Sequence, residues 1–382
     1  MIPIKENKMN IEINKISTDF KGESCYVHAR GLILPDKNGV MTLQKLELSG
    51  CDVFYGIEMM KTSDGGKSFS KPVLCENLKR KYYDDGTSLV MCDATPFYHT
   101  TTGKIIITGR MAWYGSNNAL LREPRPQSPL YAVYNESEGT VGSFQMIEMP
   151  KNDEYFISGV GCSQILELRN GDLLIPIYYM SRKELSKPNP CNMVAVIRCS
   201  FDGETVRLLE IGNSLTTDVP RGFCEPSIIQ YKDEYFMCLR NDATGYLSKS
   251  RDGLHYDTPV ELCFDNGENL GNYNTQQHWL TGGGRLWLVY NRRAENNGHM
   301  FRHRAPLFIA EVDSVTMRVK RDTEKIAVPE RGARLGNFGC QSFSDEIGYI
   351  FAAEWMQNDP HGWEHCALRG SDNSIFVSKV IF

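Results

Sequence analysis

Short apolar runs of roughly four to eight residues, rich in Val, Ile, Tyr and Phe, recur along the whole chain. Clusters of Gly, Asn, Asp and Ser separate them, and no long segment sustains the 3.6-residue period of an amphipathic helix. The pattern therefore predicts strands joined by tight turns. The clearest hairpin sets Ile165-Leu166-Glu167-Leu168 and Leu173-Leu174-Ile175-Pro176 on either side of Arg169-Asn170-Gly171-Asp172. Similar hairpins are expected around Thr102-Gly103, Lys232-Asp233 and Gly282-Gly283-Gly284. Their spacing divides the chain into six units, near residues 25–75, 90–148, 157–212, 222–262, 272–328 and 335–382.

One short motif repeats inside these units: Ser63-Asp64-Gly65-Gly66-Lys67-Ser68-Phe69, Ser200-Phe201-Asp202-Gly203-Glu204-Thr205 and Ser250-Arg251-Asp252-Gly253-Leu254-His255-Tyr256. In each, a Ser-rich approach leads into a turn whose Gly accepts positive φ and whose Asp can accept backbone N–H bonds. A decayed copy is expected at Asn135-Glu136-Ser137-Glu138-Gly139, followed by Phe144. The motif resembles the Asp-box of sialidase-like β-propellers, which joins the two outer strands of a blade. The resemblance implies an all-β, six-bladed β-propeller of four-stranded antiparallel blades, a single domain over 1–382, with seven blades as the rival count. The run 10–16 is expected to close the ring on the last blade, because closure protects strand edges that a long all-β chain would otherwise expose.

Composition agrees with one closed body. The chain has 382 residues, of which 41% are hydrophobic, and a net charge of −5 gives no electrostatic reason to expect nucleic acid. No stretch reaches the roughly 20 apolar residues that cross a bilayer, so no membrane partner is expected. The polar start Met1-Ile2-Pro3-Ile4-Lys5-Glu6-Asn7-Lys8 lacks a signal-peptide core, which predicts a cytoplasmic protein. Twelve cysteines show no organised spacing, and Cys162, Cys199, Cys224 and Cys238 sit in strand-like runs, so reduced thiols are expected. Neither a phosphate loop nor a dinucleotide turn is present, and no cofactor or metal is expected. The two histidines of His361-Gly362-Trp363-Glu364-His365 are expected in a loop, given Asp359-Pro360 and Gly362.

Polar residues open the predicted inner strands: His28-Ala29-Arg30, Asp93-Ala94-Thr95, Ser163-Gln164, Glu225-Pro226-Ser227, Gln276-Gln277-His278 and Asn337-Phe338. A ring of charged and amide groups at the mouth of a channel is a ligand site by default. Comparison with sialidases sharpens this. Cys224-Glu225-Pro226-Ser227, a hairpin, Leu239-Arg240 and the third box resemble the family stretch carrying an active-site Glu and a carboxylate-binding Arg. The resemblance implies these roles for Glu225 and Arg240, with Arg30 and either Arg302 or Arg304 completing an arginine cluster that suits a carboxylate. The family's Tyr nucleophile is replaced by Phe338, which cannot attack, and its acid/base Asp corresponds to Asp52 or Asp93. The expectation is a sialidase-like enzyme but not a sialidase: an exo-acting hydrolase of an acidic or polar sugar, with Glu225 and Asp93 as acid/base pair working through water. Arg30, Arg240, Arg302, Arg304, Gln164, Gln277 and Asn337 would hold the oligosaccharide or polysaccharide. A uronate lyase using His278 or His303 is the alternative, and a glycan-binding propeller without catalysis is the third reading. Trp113, Tyr114, Trp279 and Trp355 are candidates for stacking on sugar faces.

Overall fold

A computed structural model describes residues 9–48, 52–121, 124–136, 138–358 and 362–382. Its strands form six antiparallel sheets arranged as a six-bladed β-propeller, which decides against seven blades. Blade one runs Ser24–Ile33, Gly39–Glu47, Phe54–Thr62 and Val73–Leu74. Blade two is built on Ser88–His99, Lys104–Tyr114 and Leu130–Asn135, with the two-residue strand Lys81–Tyr82 beside its inner edge. Blade three centres on Leu173–Met180 and Met193–Phe201, and blade four on Cys224–Tyr231, Glu234–Arg240 and Tyr246–Ser250. Blade five holds His278–Gly282, Arg285–Tyr290 and Leu307–Asp313. The last blade, Gly339–Ser342, Ile347–Ala353 and Ile375–Ile381, takes its fourth strand from the other end of the chain. Asn10–Ile16 pairs with Ile375–Ile381 along its full length, as expected for ring closure.

Turn chemistry sets the hairpins. Gly283 and Gly284, at φ 60° and 66°, make the two-residue turn between Gly282 and Arg285, a conformation that disfavours a side chain at both positions. Each Asp-box caps the turn between the third strand and the outermost one. Asp64 accepts from the backbone N–H groups of Lys67 and Ser68, both at 3.0 Å, and Asp252 from those of Leu254 and His255 at 2.8 and 2.7 Å. Asp202 does the same for Glu204 and Thr205. The decayed copy at 135–139 includes Ser137, which lies outside the described residues.

Between blades the sheets pack face to face. Leu174, Val196, Phe223, Ile228 and Met237 interleave blades three and four, and Leu32, Met91, Ile107 and Ala132 do so for blades one and two. Trp279 is wholly buried between blades four and five, as is Tyr114 in its own cluster; Trp355 is 5% exposed. Of the four aromatics expected to stack on sugars, these three are core, because their rings fill the wedge between sheets. Eleven described cysteines are unbridged.

One expectation fails. Trp363–Leu368 is a short helix, with Gly362 in extended conformation as its N-cap. Trp363 packs edge-on against Phe20 and Cys366 is buried, so tertiary contacts hold a turn of helix where Gly and Pro predicted loop. His361 lies outside the described residues, and among those described no cluster of metal-ligating side chains occurs. No described helix is long and apolar enough to cross a membrane.

Candidate functional site

The inner strands share a backbone device. Pairing with the second strand slips by a bulge between Val27 and Arg30, between Cys92 and Thr95, and between Cys224 and Ser227. The bulged residues His28, Asp93 and Glu225 have φ of 58°, 58° and 47°, and Cys162 and Asn274 adopt the same left-handed conformation near the starts of blades three and five. For side chains other than glycine this costs on the order of 1 kcal/mol or more each, and such outliers gather at functional sites. The bulge brings polar side chains together at the end of the channel where inner strands begin.

Two blades carry the same acid–arginine unit. The residue before each acid pairs with an arginine, Cys92 with Arg110 and Cys224 with Arg240. Arg110 Nε donates to Asp93 at 2.6 Å, and Arg240 donates to Glu225. Asp93 is also met by the Cys162 thiol at 3.1 Å, and Arg30 lies 3.7 Å away. Burial opposes its charge, yet its surroundings hold Asp93 well below the usual carboxylate range. His28 sits 3.3 Å from Asp93, but burial brings its own pKa down to about 4. At neutral pH His28 is therefore uncharged, and the two arginines keep Asp93 ionised. Glu225 is likewise lowered, with Arg240 outweighing burial.

The remaining cations are less well matched. Arg240 and Arg302 both donate to the side-chain oxygen of Asn274, and Arg304 reaches the Asn274 carbonyl at 2.5 Å and Asn337 Oδ1 at 3.3 Å. Among the described residues neither Arg302 nor Arg304 has a carboxylate partner within ion-pair distance. Burial, then the charges of Arg240 and Arg334, pull Arg304 down to about 9. Arg30 is 1% exposed; it donates to Cys162 and Gln276, while its Nε and one terminal nitrogen have no partner. Buried guanidinium groups short of acceptors make a site for an anion.

Other expected site residues lie elsewhere. Gln164 spends its amide on the backbone of Trp279 and Cys340, tying blade three to blades five and six. Beyond it, the opposite end of the channel holds a cavity of about 440 Å³ lined by all six blades, with Leu34, Phe97, Ile165, Ile229, Thr281 and Phe343 among its walls. Gln277 is 1% exposed and donates to Thr275; its neighbour Gln276 is the one that meets Arg30. His278 is buried, bonded to Ser227 at 2.8 Å and packed edge-on against Phe338, and burial with the charge of Arg30 brings its pKa down to about 3. His303 is bonded to Tyr273 at 2.7 Å, and burial, then Arg293, lowers its pKa. Phe338 is fully buried. Asp52, half-buried with φ 57°, stands near the mouth, close enough for its charge to act on His28 and Arg302.

Arg110, Asn274 and Tyr178 were not expected. Tyr178 feels the charges of Arg110, Asp93 and Glu225. A signal for Arg110 was present: Cys-acid, a hairpin, then Arg recurs at Cys92-Asp93…Arg110 and Cys224-Glu225…Arg240.

The profile of the BNR repeat-like domain matches residues 126–320, just over half the chain. The chain belongs to this BNR repeat-like family. Solved structures superpose along almost its whole length. A Dyadobacter fermentans protein of unknown function aligns with a TM-score of 0.68 at 12% identity, covering 98% of this chain and 100% of that one. The Hadza microbial sialidase Hz136 gives 0.62 at 11%, covering 96% and 68%. Trypanosoma rangeli sialidase gives 0.60 at 13%, covering 97% of this chain and 59% of its own. At these identities the likeness is one of fold. No curated protein matches the chain by sequence.

Proposed function

We propose that this BNR-like propeller is a glycoside hydrolase acting on an acidic sugar held at the funnel. The observation that carries the reading is a pair of arginines without a carboxylate partner among the described residues, buried Arg304 and half-buried Arg302, beside the incompletely bonded Arg30 and the Arg240–Glu225 pair. A sugar carboxylate would supply the missing acceptor, and planar guanidinium groups suit its two oxygens.

Chemistry follows from where each acid sits. Asp93 is enclosed by Arg110, Arg30 and the Cys162 thiol and stays ionised, so it serves to orient these groups better than to donate a proton. Asp52, at the mouth, takes the role of acid toward the leaving oxygen. Glu225 stays ionised and keeps 18% side-chain exposure beside Arg240, which suits a base. With phenylalanine at 338, water is the nucleophile: its oxygen bonds to the anomeric carbon as the glycosidic bond breaks, Glu225 takes its proton, and the Asp52 carboxyl gives one to the leaving oxygen. The expected product is inverted.

Mass spectrometry of products from sialylated, uronic-acid and neutral oligosaccharides tests this. Fragments whose summed mass exceeds the substrate by one water, lost in Glu225→Gln, support hydrolysis. Unsaturated fragments without added water would mean elimination and overturn it, although His278, with a pKa of about 3, is a weak base for that task. Phe338 favours one second reading, a propeller that binds glycans without cleaving them. Saturable binding with intact ligand throughout the panel would establish that instead.

A further inference from the structure

The face that carries the funnel also carries an exposed aromatic shelf between blades one and two. Tyr55, Tyr82 and Tyr83 are 44%, 77% and 44% exposed, unusual for rings of this size. Trp113, half-buried, lies against Tyr83 with ring centroids 5.4 Å apart and planes tilted by 30°. Topology fixes the side. Tyr55 is at the start of a third strand, Trp113 near the end of a second strand, and Tyr82 pairs with Ser88 at the start of an inner strand. All three positions fall at the end of the propeller where inner strands begin, the end at which Glu225 opens its strand; Asp93 lies midway along its own, Ser88–His99.

The shelf is also connected and stiffened. The Tyr114 hydroxyl donates to the Asp52 carbonyl at 2.7 Å and accepts from the backbone N–H of Phe54 at 3.0 Å, linking the two blades beside Asp52. Arg125 lies over Trp113 at 4.9 Å, and Arg80 stacks on Tyr114 at 3.9 Å with Tyr82 at 5.8 Å. Arg125 and Arg80 thereby restrain two of the shelf rings, Trp113 and Tyr82, so a ligand meets those rings partly ordered.

We propose that Tyr55, Tyr82, Tyr83 and Trp113 form a subsite for the neutral sugar rings that follow the acidic residue in the same oligosaccharide. The proposal rests on the funnel reading above. A pyranose has an apolar C–H face and a rim of hydroxyls, and Tyr and Trp offer the matching pair, a flat apolar ring with a polar edge. A chain anchored by its carboxylate among the arginines and leaving past Asp52 on the blade-one side passes over the shelf. Aromatic side chains, with Lys81, Asp84 and Asp85 beside them in sequence, supply hydroxyl-binding groups of both signs, which suits a neutral sugar better than a second anion.

Calorimetric titration separates this proposal from the reading beneath it. The ligands are an acidic monosaccharide and a tetrasaccharide with that residue at its end; the proteins are wild type, Tyr82→Ala/Tyr83→Ala, and Tyr55→Ala. The expected result is tighter binding of the tetrasaccharide to wild type, weakened about tenfold or more in the double variant, with monosaccharide affinity unchanged. Equal affinity of wild type for both ligands, or no loss in either variant, overturns the shelf while leaving the funnel intact. Binding of neither ligand removes the funnel reading and the shelf with it. A change of oligomeric state in the variants, with glycan affinity intact, makes the surface a protein contact and overturns the proposal.

Discussion

At the scale of single residues, the site is a balance between burial and charge. Arg304 is a cation among cations, drawn down to about 9 by burial and its arginine neighbours. Such a group weakens the empty fold and strengthens anion binding. Arg304→Met is expected to raise the unfolding midpoint while weakening acidic-sugar binding by about 30-fold or more, since loss of a buried charged hydrogen-bonding partner costs about 2–5 kcal/mol. Differential scanning calorimetry and titration calorimetry read the two effects, and a lower midpoint would contradict the charge argument. The sign of the pH effect follows from the same shift. Arg304 is charged below its depressed pKa, so affinity for the acidic sugar should be level between pH 6 and 8 and fall as pH rises through about 9. Titrations across that range check it. Glu225 and Arg240 stood out in the chain because they share one motif; Arg110 was not singled out although Cys-acid, hairpin, Arg recurs in blade two, and the strand register shows that it occupies there the position Arg240 occupies in blade four.

At the scale of elements, turns and strand edges govern stability far from the chemistry. In the first Asp-box, hydrogen bonds from Ser68, with others from Thr62 and Lys67, outweigh burial and bring Asp64 down to about 2. Because the folded pKa lies below the unfolded one, its contribution is complete above about pH 4 and is lost as pH falls through about 2. Asp252→Ala removes the acceptor for Leu254 and His255, and its turn lies at the opposite end of the strands from the funnel. A lowered melting temperature with unchanged glycan binding is therefore expected, checked by thermal denaturation beside titration. The closing strand matters more. Deleting residues 1–16 strips the partner from Ile375–Ile381 and leaves an apolar edge open; the expected outcome is a steep fall in melting temperature and self-association, visible by light scattering. A truncated chain that stays monomeric with an unchanged midpoint would show that the ring holds without its closing strand. The helix at Trp363–Leu368 shows the limit of local rules: Gly362 reads as a breaker, yet serves as the cap once Trp363 finds Phe20 across the fold.

At the scale of the whole molecule, the propeller makes one face out of residues far apart in the chain. Arg30 and Gln276 bond across 246 positions, and Gln164 reaches Trp279 and Cys340 across 115 and 176. Replacing Trp279 by Ala, where blades four and five meet, is expected to cost about 3–5 kcal/mol and to loosen the funnel as well, because its wall is the same interface. Blade count, hairpin positions and the closing strand were legible in the chain, since each depends on local period, turn residues or repetition, which are properties of neighbours in sequence. So was the pairing of Glu225 with Arg240 across their hairpin. What only the tertiary structure decided is which polar groups remain unmatched. Asp93 is met by Arg110, Arg30 and the Cys162 thiol; Gln164 ties blades together; Arg302 and Arg304 lie among cations. A side chain's partners and exposure depend on residues hundreds of positions away, and no local pattern along the chain encodes those distances.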